Sequence, residues 1–371
     1  MKFSSYEIKR GWSLFILFCV VTLFTSCSLK QKKPEPGLVV LFNGTSSAGK
    51  SAIVNELQGI YGPDWSVVVL DDFQVAYQKE HPISASEREA MKAMPIEKLR
   101  LLFRKIHEAM YYHVKQLALQ GKNVFVDTVE FDDDYDHYCS ILGFEKVVKI
   151  LVYCPLDVIV DRVQKRALEG SPRSLNLVWG QFPAIYKLQE SDNDVVVDRI
   201  ATSRISTKLP LVREEAKLIP DEAVSESDFV KQFGLDTLDE IVLVPKHQWD
   251  LIVNTGIHSP EEVAQEVVGF LEKRGYQRPT DVFRVDPQTY DQYVGSYRLA
   301  DNFTFAITKE GNKLFVRPEK QGKIELHPKS EAVFFNHYDE FELSFVKDEK
   351  GEVTEFILHQ GGADSPAKKI A

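Results

Sequence analysis

Residues 44–51, in order Gly44, Thr45, Ser46, Ser47, Ala48, Gly49, Lys50 and Ser51, fit the spacing GxxxxGK followed by Ser or Thr. Each type has a chemical reason to be there. Glycines let successive backbone N–H groups curl around phosphate oxygens with no side chain in the way, and Lys50 adds a point charge at the phosphoryl group to be transferred. The Ser51 hydroxyl is suited to hold Mg2+. The string predicts a nucleotide site with ATP and Mg2+ as its ligands.

Three carboxylates follow short apolar runs: Asp71 and Asp72 after Val67–Leu70, and Asp127 after Val124–Val126. A carboxylate at the end of a strand accepts a proton from a substrate hydroxyl or holds Mg2+ through water. Aspartate there also starts helices and turns, so both readings stand for each residue. Arg162 and Arg166 share a helical stretch at i and i+4. Planar, permanently charged donors of this kind spread the charge of a loose phosphoryl-transfer transition state, or else simply occupy a helix surface.

These residues need a frame, and the hydrophobic periodicity predicts one. Leu38–Asn43 reads as a buried strand before the loop, and Ile53, Val54, Leu57 and Ile60 recur after it at helical spacing. Val67–Leu70, Val124–Val126 and Val147–Tyr153 read as further strands, with a helical stretch from about Glu87 to Gln120 among them. Strands alternating with helices imply a parallel sheet, which binds ligands at the carboxyl ends of its strands. Ser259 as N-cap and Pro260 at the first helical position begin a last helix.

The strings "VVLFNGTSSAGKSAIVNELQ" and "VVVLDDF" resemble the opening of the chloramphenicol phosphotransferase-like P-loop kinases. The resemblance implies a three-layer α/β/α phosphotransferase domain with ATP as donor. It carries the general base for the acceptor hydroxyl onto Asp71, with Asp72 standing where the family has Ser. "NVFVDTVEF" is similar to the family's third strand and makes Asp127 the Walker B-like carboxylate beside Ser51. "CPLDVIVDRVQKRALEGSPRSLNL" looks like the family's lid segment, which carries phosphate-contacting roles onto Arg162, Arg166 and Arg173; this lid is longer than the family's. "WDLIVNTGIHSPEEVAQEVVGFLEKR" resembles its last strand and helix. Residues 190–247 are an insertion, expected to bear on acceptor recognition or to pack outside.

From residue 287 the period changes to two. "YVGSYRL", "FTFAIT", "KLFVRP" and "FELSFVKDEKGEVTEFILHQ" alternate apolar and polar residues between turn signals, which predicts an antiparallel barrel-like domain over 287–371, joined by a linker over 275–286. The Y-x-x-Y-V-G-x-Y string and "VTEFILHQGG" resemble a domain of unknown function at the C-terminus of beta-lactamase-related serine hydrolases. It carries over no catalytic residue. His327, His337 and His359 lack ligand spacing.

The N-terminus reads as an export signal. Lys2, Lys9 and Arg10 precede the apolar stretch Trp12–Phe24, which is shorter than the roughly 20 residues of a membrane span. Leu23-Phe24-Thr25-Ser26-Cys27 resembles a bacterial lipoprotein box, which implies a lipidated Cys27, a signal segment over 1–27 and a polar tether over 28–37; an uncleaved anchor is the alternative. The expected location is the cell envelope, or the cytoplasm if the segment does not export. A net charge of −10 over 371 residues argues against nucleic acid as partner. Three functions remain: an ATP-dependent small-molecule O-phosphotransferase on a membrane-anchored protein, a nucleotide-sugar kinase of the zeta-toxin type, and a non-catalytic envelope scaffold that retains the loop.

Overall fold

The computed structural model describes residues 34–82, 84, 86, 96–130, 132–168, 181, 185–190, 241–245, 249–300, 303–319, 321–338 and 340–370. Cys27, Arg173 and Val195–Val197 lie outside them, as does most of the 190–247 insertion.

Five parallel strands form the first sheet: β1 (Val39–Asn43), β2 (Ser66–Val69), β3 (Val124–Thr128), β4 (Val147–Tyr153) and β7 (Leu251–Asn254), in the order β2-β3-β1-β4-β7. Every residue of β1 and of β3 is buried, as expected of strands covered on both faces. Helices α1 (Lys50–Tyr61), α2 (Leu70–Glu80), α3 (Ile96–Leu119), α4 (Asp132–Leu142), α5 (Leu156–Leu168) and α6 (Pro260–Lys273) alternate with them. One apolar layer joins the sheet to α1, α5 and α6 through Phe42, Leu57, Ile150, Val163 and Val267. The other joins it to α3 and α4 through Leu41, Val126, Met110, Tyr111 and Leu142. β1 pairs with β3 on one side and β4 on the other, so the loop after β1 emerges between two neighbours' carboxyl ends.

Helix α6 starts as its sequence predicts. The Ser259 side chain accepts from the Glu262 N–H and the Glu262 carboxylate accepts from the Ser259 N–H, a reciprocal cap with Pro260 in the first turn. The insertion is framed by an antiparallel pair, β5 (Tyr186–Glu190) with β6 (Ile241–Pro245).

The C-terminal part is a closed barrel of eight antiparallel strands: β8 (Gly295–Ala300), β9 (Phe303–Glu310), β10 (Lys313–Pro318), β11 (Ile324–Pro328), β12 (Val333–Asn336), β13 (Phe341–Lys347), β14 (Val353–Gln360) and β15 (Ala363–Lys369), with β15 returning to β8. Closure removes the open edges that would template pairing with another chain. The three tyrosines of the Y-x-x-Y-V-G-x-Y string serve the core. The rings of Tyr293 and Tyr297 are fully buried, and their hydroxyls donate to the carbonyls of Glu331 (2.6 Å) and Tyr293 (2.7 Å). The predicted hairpin after Lys347 turns on Asp348, whose Oδ1 accepts from the N–H groups of Lys350 and Glu352, with Gly351 at φ 84°.

The barrel sits on α1. Lys313 pairs with Glu56 and, at 3.1 Å, with Glu325; Asn336 Nδ2 donates to Asn55 Oδ1 at 2.8 Å; the His337 N–H donates to Gln58 Oε1 at 2.7 Å. His327 approaches so closely that a Cβ at Gly59 would lie 2.9 Å from its ring, which explains a glycine inside a helix, where it is disfavoured by about 1 kcal/mol.

Candidate phosphotransfer site

The loop between β1 and α1 is shaped by close backbone packing. A Cβ on Gly44 would lie 2.4 Å from the Val152 carbonyl oxygen, so no larger residue fits against β4. Gly49, at φ 101°, turns the chain into α1 in the left-handed region that favours glycine. No side chain caps the N-terminus of α1 and no acidic residue stands in its first turn, which leaves the helix dipole available to an anion.

Lys50 is buried. Its Nζ donates to the carbonyls of Gly44 (2.8 Å) and Thr45 (3.0 Å) and lies 3.7 Å from Asp127 Oδ1. Burial raises the pKa of Asp127 above the ordinary carboxylate range, while the Lys50 charge and a hydrogen bond from Tyr338 oppose the rise. A cavity of about 70 Å3 opens here at the carboxyl ends of β2 and β3, lined by Lys50, Ser51, Asp71, Asp127 and Arg166 among others. The predicted loop, its acidic partner and the proposed base thus meet in one place. Ser51 and Asp127 offer oxygen donors only, the set a hard cation such as Mg2+ takes, so the residues fit that ion.

Two predicted residues stand elsewhere. Asp71 and Asp72 are both exposed in the first turn of α2, and of the two Asp71 lines the cavity. Arg162 was expected to face phosphate, and the structure corrects this. Its guanidinium lies behind the loop, donating to the carbonyls of Ser47 (3.3 Å), Ala48 (3.1 Å) and Thr255 (2.7 Å) and to the Thr255 hydroxyl (3.1 Å). Its planar fork braces backbone and side-chain acceptors of the loop and of Thr255 at once, and Arg162 is not among the residues lining the cavity. Arg166, one turn further along α5, does reach the cavity, with Nη1 3.4 Å from Ser47 Oγ.

Sequence reasoning missed several contributors. Thr255 donates its hydroxyl to the Ala48 carbonyl and so ties the end of β7 to the loop. Glu130 is buried beyond β3, where its carboxylate accepts from the Thr128 hydroxyl (2.5 Å) and lies 2.6 Å from His107 Nδ1. Its N–H and that of Gly44 share Asn43 Oδ1, both at 2.9 Å, which locks the ends of β1 and β3 together. Gln181 Oε1 accepts from the Ser46 N–H at 2.6 Å, as a phosphate oxygen would. Tyr338, from the barrel, reaches Asp127. The three histidines that lack ligand spacing are accounted for by contacts: His327 is buried against α1 with its pKa pushed down to about 3 by burial, His337 Nε2 lies 3.0 Å from the Pro63 carbonyl, and His359 lies 2.7 Å from Asp364.

Comparison with known proteins accords with this geometry. Residues 37–208 match the family model of chloramphenicol phosphotransferase-like proteins, and residues 281–368 match that of a domain of unknown function, DUF3471. Penicillin-binding protein 4* of Bacillus subtilis (strain 168) is 33% identical over 93 residues, 24% of this chain; the match spans only 20% of that relative. Similar solved structures include a sugar kinase from Janibacter sp. HTCC2649 (14% identity, 64% of this chain and 95% of that one, TM-score 0.34). The shikimate kinase of Aquifex aeolicus (15%, 64% and 98%, TM-score 0.31) is another. So is the APS kinase of Mycobacterium tuberculosis in complex with AMPPNP and APS (15%, 64% and 99%, TM-score 0.32). The chain is thus similar to chloramphenicol phosphotransferase-like proteins over residues 37–208 and to DUF3471 over residues 281–368.

Proposed function

We propose that the chain is an ATP-dependent phosphotransferase acting on the hydroxyl group of a small molecule. The observation that carries this reading is the convergence of Lys50, Ser51, Asp127 and Asp71 on one cavity at the carboxyl ends of the strands. In this reading the loop N–H groups and the N-terminus of α1 bind the phosphates of the donor, and Lys50 exchanges its two loop carbonyls for phosphate oxygens. Ser51 and Asp127 hold Mg2+, which when bound neutralises phosphate charge. Asp71 orients the acceptor hydroxyl and takes its proton at a carboxylate oxygen, while Arg166 supplies a charged donor at the cavity wall. Arg162 and Thr255 keep the loop in shape.

Calorimetry on the intact chain with ATP, GTP and a non-hydrolysable analogue, with and without Mg2+, tests it. Micromolar binding that Lys50→Ala removes supports the reading, and absence of binding to every nucleotide refutes it. An Asp71→Asn protein should keep nucleotide affinity and lose transfer to whichever hydroxyl acceptor is accepted in a screen.

We further propose that the protein is exported and held at the cell envelope by lipid on Cys27. Incorporation of labelled fatty acid by the native chain and its loss in Cys27→Ser would support this; equal labelling of both would sink it. Among the described residues no helix is long and apolar enough to cross a membrane.

A further inference from the structure

The connection between β12 and β13 leaves the barrel and enters the phosphotransfer site. Tyr338 lies on it, next to a backbone with Glu340 at φ 50°, a conformation that non-glycine residues rarely adopt. Its hydroxyl donates to Asp127 Oδ2 at 3.1 Å, and the tyrosine lines the same cavity as Ser51. Those are the two side chains whose oxygens suit Mg2+. A neutral phenol that donates to Asp127 Oδ2 competes with a hard cation for that oxygen.

Two further polar groups of the site are satisfied from within. Gln181 takes the Ser46 N–H, and Lys50 is turned onto its own loop carbonyls. The cavity left, about 70 Å3, is far below the 300 Å3 or more of a small-molecule site. The cavity is narrow, and the barrel's share of its wall is the tyrosine that stands on Asp127.

We infer that Tyr338 is a residue of the phosphotransfer site, carried there by the barrel, and that its hydroxyl occupies the place between Ser51 and Asp127 that Mg2+ must take, so that the tyrosine bond and the metal–nucleotide complex exclude one another. This rests on the phosphotransferase reading above. Entry of the metal–nucleotide complex then requires the phenol to swing out, and the affinity of the intact chain is lowered by the strength of the bond that is broken. The barrel in this sense takes part in nucleotide entry, seated on the very helix that begins with Lys50 and Ser51.

The test is calorimetric titration of the intact chain with a non-hydrolysable ATP analogue, in Mg2+ and separately in EDTA, for the native protein, Tyr338→Phe and Tyr338→Ala. Tyr338→Phe removes one oxygen and keeps the ring, so folding is unaffected; thermal unfolding checks it. The expected result is about tenfold tighter binding by Tyr338→Phe in Mg2+ with no difference in EDTA, the factor corresponding to one hydrogen bond to a charged group. A role confined to packing would not depend on the metal. Equal or weaker Mg2+-dependent binding by Tyr338→Phe overturns the inference while leaving the phosphotransferase reading intact. Failure of all three proteins, including Tyr338→Ala with the ring gone, to bind nucleotide in either medium overturns both.

Discussion

The two faces of α1 are buried in opposite ways. Toward the sheet, Ile53, Val54, Leu57 and Tyr61 pack into an apolar layer with no exposed surface to speak of. Toward the barrel, Asn55, Glu56 and Gln58 meet Asn336, Lys313, Glu325 and His337 through hydrogen bonds and ion pairs. Apolar burial is insensitive to pH and salt, and its loss is paid in cavities. A polar interface is only as strong as the surplus of its own bonds over those it made to water. The helix that carries the phosphate loop is therefore fixed to the sheet and adjustably attached to the barrel.

Three substitutions sharpen that contrast. Lys50→Ala, at the head of the helix, should lower transfer on the order of a thousandfold, since a preorganised charge aimed at the reacting group is lost; single-turnover kinetics would read it. Leu57→Ala, on the sheet face, should destabilise the chain by about 3 kcal/mol in urea unfolding, through lost transfer energy and a residual cavity. Asn55→Ala, two residues earlier on the barrel face, should be milder at about 2 kcal/mol. It strips a partner from Asn336 (2.8 Å), His327 (3.3 Å) and Glu325 (3.3 Å), groups that water can partly satisfy if the interface loosens. An Asn55→Ala loss as large as that of Leu57→Ala would break the distinction between the faces.

What was legible follows the same division. The loop is eight consecutive residues, so its meaning is local, and the strand before it and the helix after it show their periods directly. The barrel was legible as alternation, and the α6 cap as Ser259 with Pro260. The residues that close the site were not. Tyr338 meets Asp127 across 211 positions and Gln181 meets Ser46 across 135, and such contacts leave no period in the sequence. Arg162 was read for its charge, and its charge is real, but four acceptors of the loop and Thr255 capture it from behind. Asp71 and Asp72 looked equivalent because they are adjacent; the start of α2 at Leu70 places them at successive angles, and only one meets the cavity. Gly59 is a local trace of the barrel's contact with α1, a helix-weakening residue whose reason lies in His327.

The smallest effect we expect comes from the barrel face and carries a sign. Burial and the neighbouring Glu56 push the Glu325 carboxyl up to about 7, with Lys313 shared between the two carboxylates and only partly offsetting the rise. The unfolded chain ionises this group near 4.5, its ordinary value. Between those two values the folded protein binds more protons than the unfolded one, so the contribution of Glu325 falls as pH rises from about 4.5 to about 7 and is flat above. Because the interface is not sealed from solvent, the change should be about 1 kcal/mol rather than the full linkage value. Urea midpoints of native protein and Glu325→Gln at pH 5 and pH 8 measure it. The native midpoint should drop relative to that of the variant across this interval, since Gln keeps the shape and removes the titration. Parallel midpoints would mean that Lys313 holds both carboxylates ionised without strain, and that the barrel face of α1 is as indifferent to pH as the face packed on the sheet.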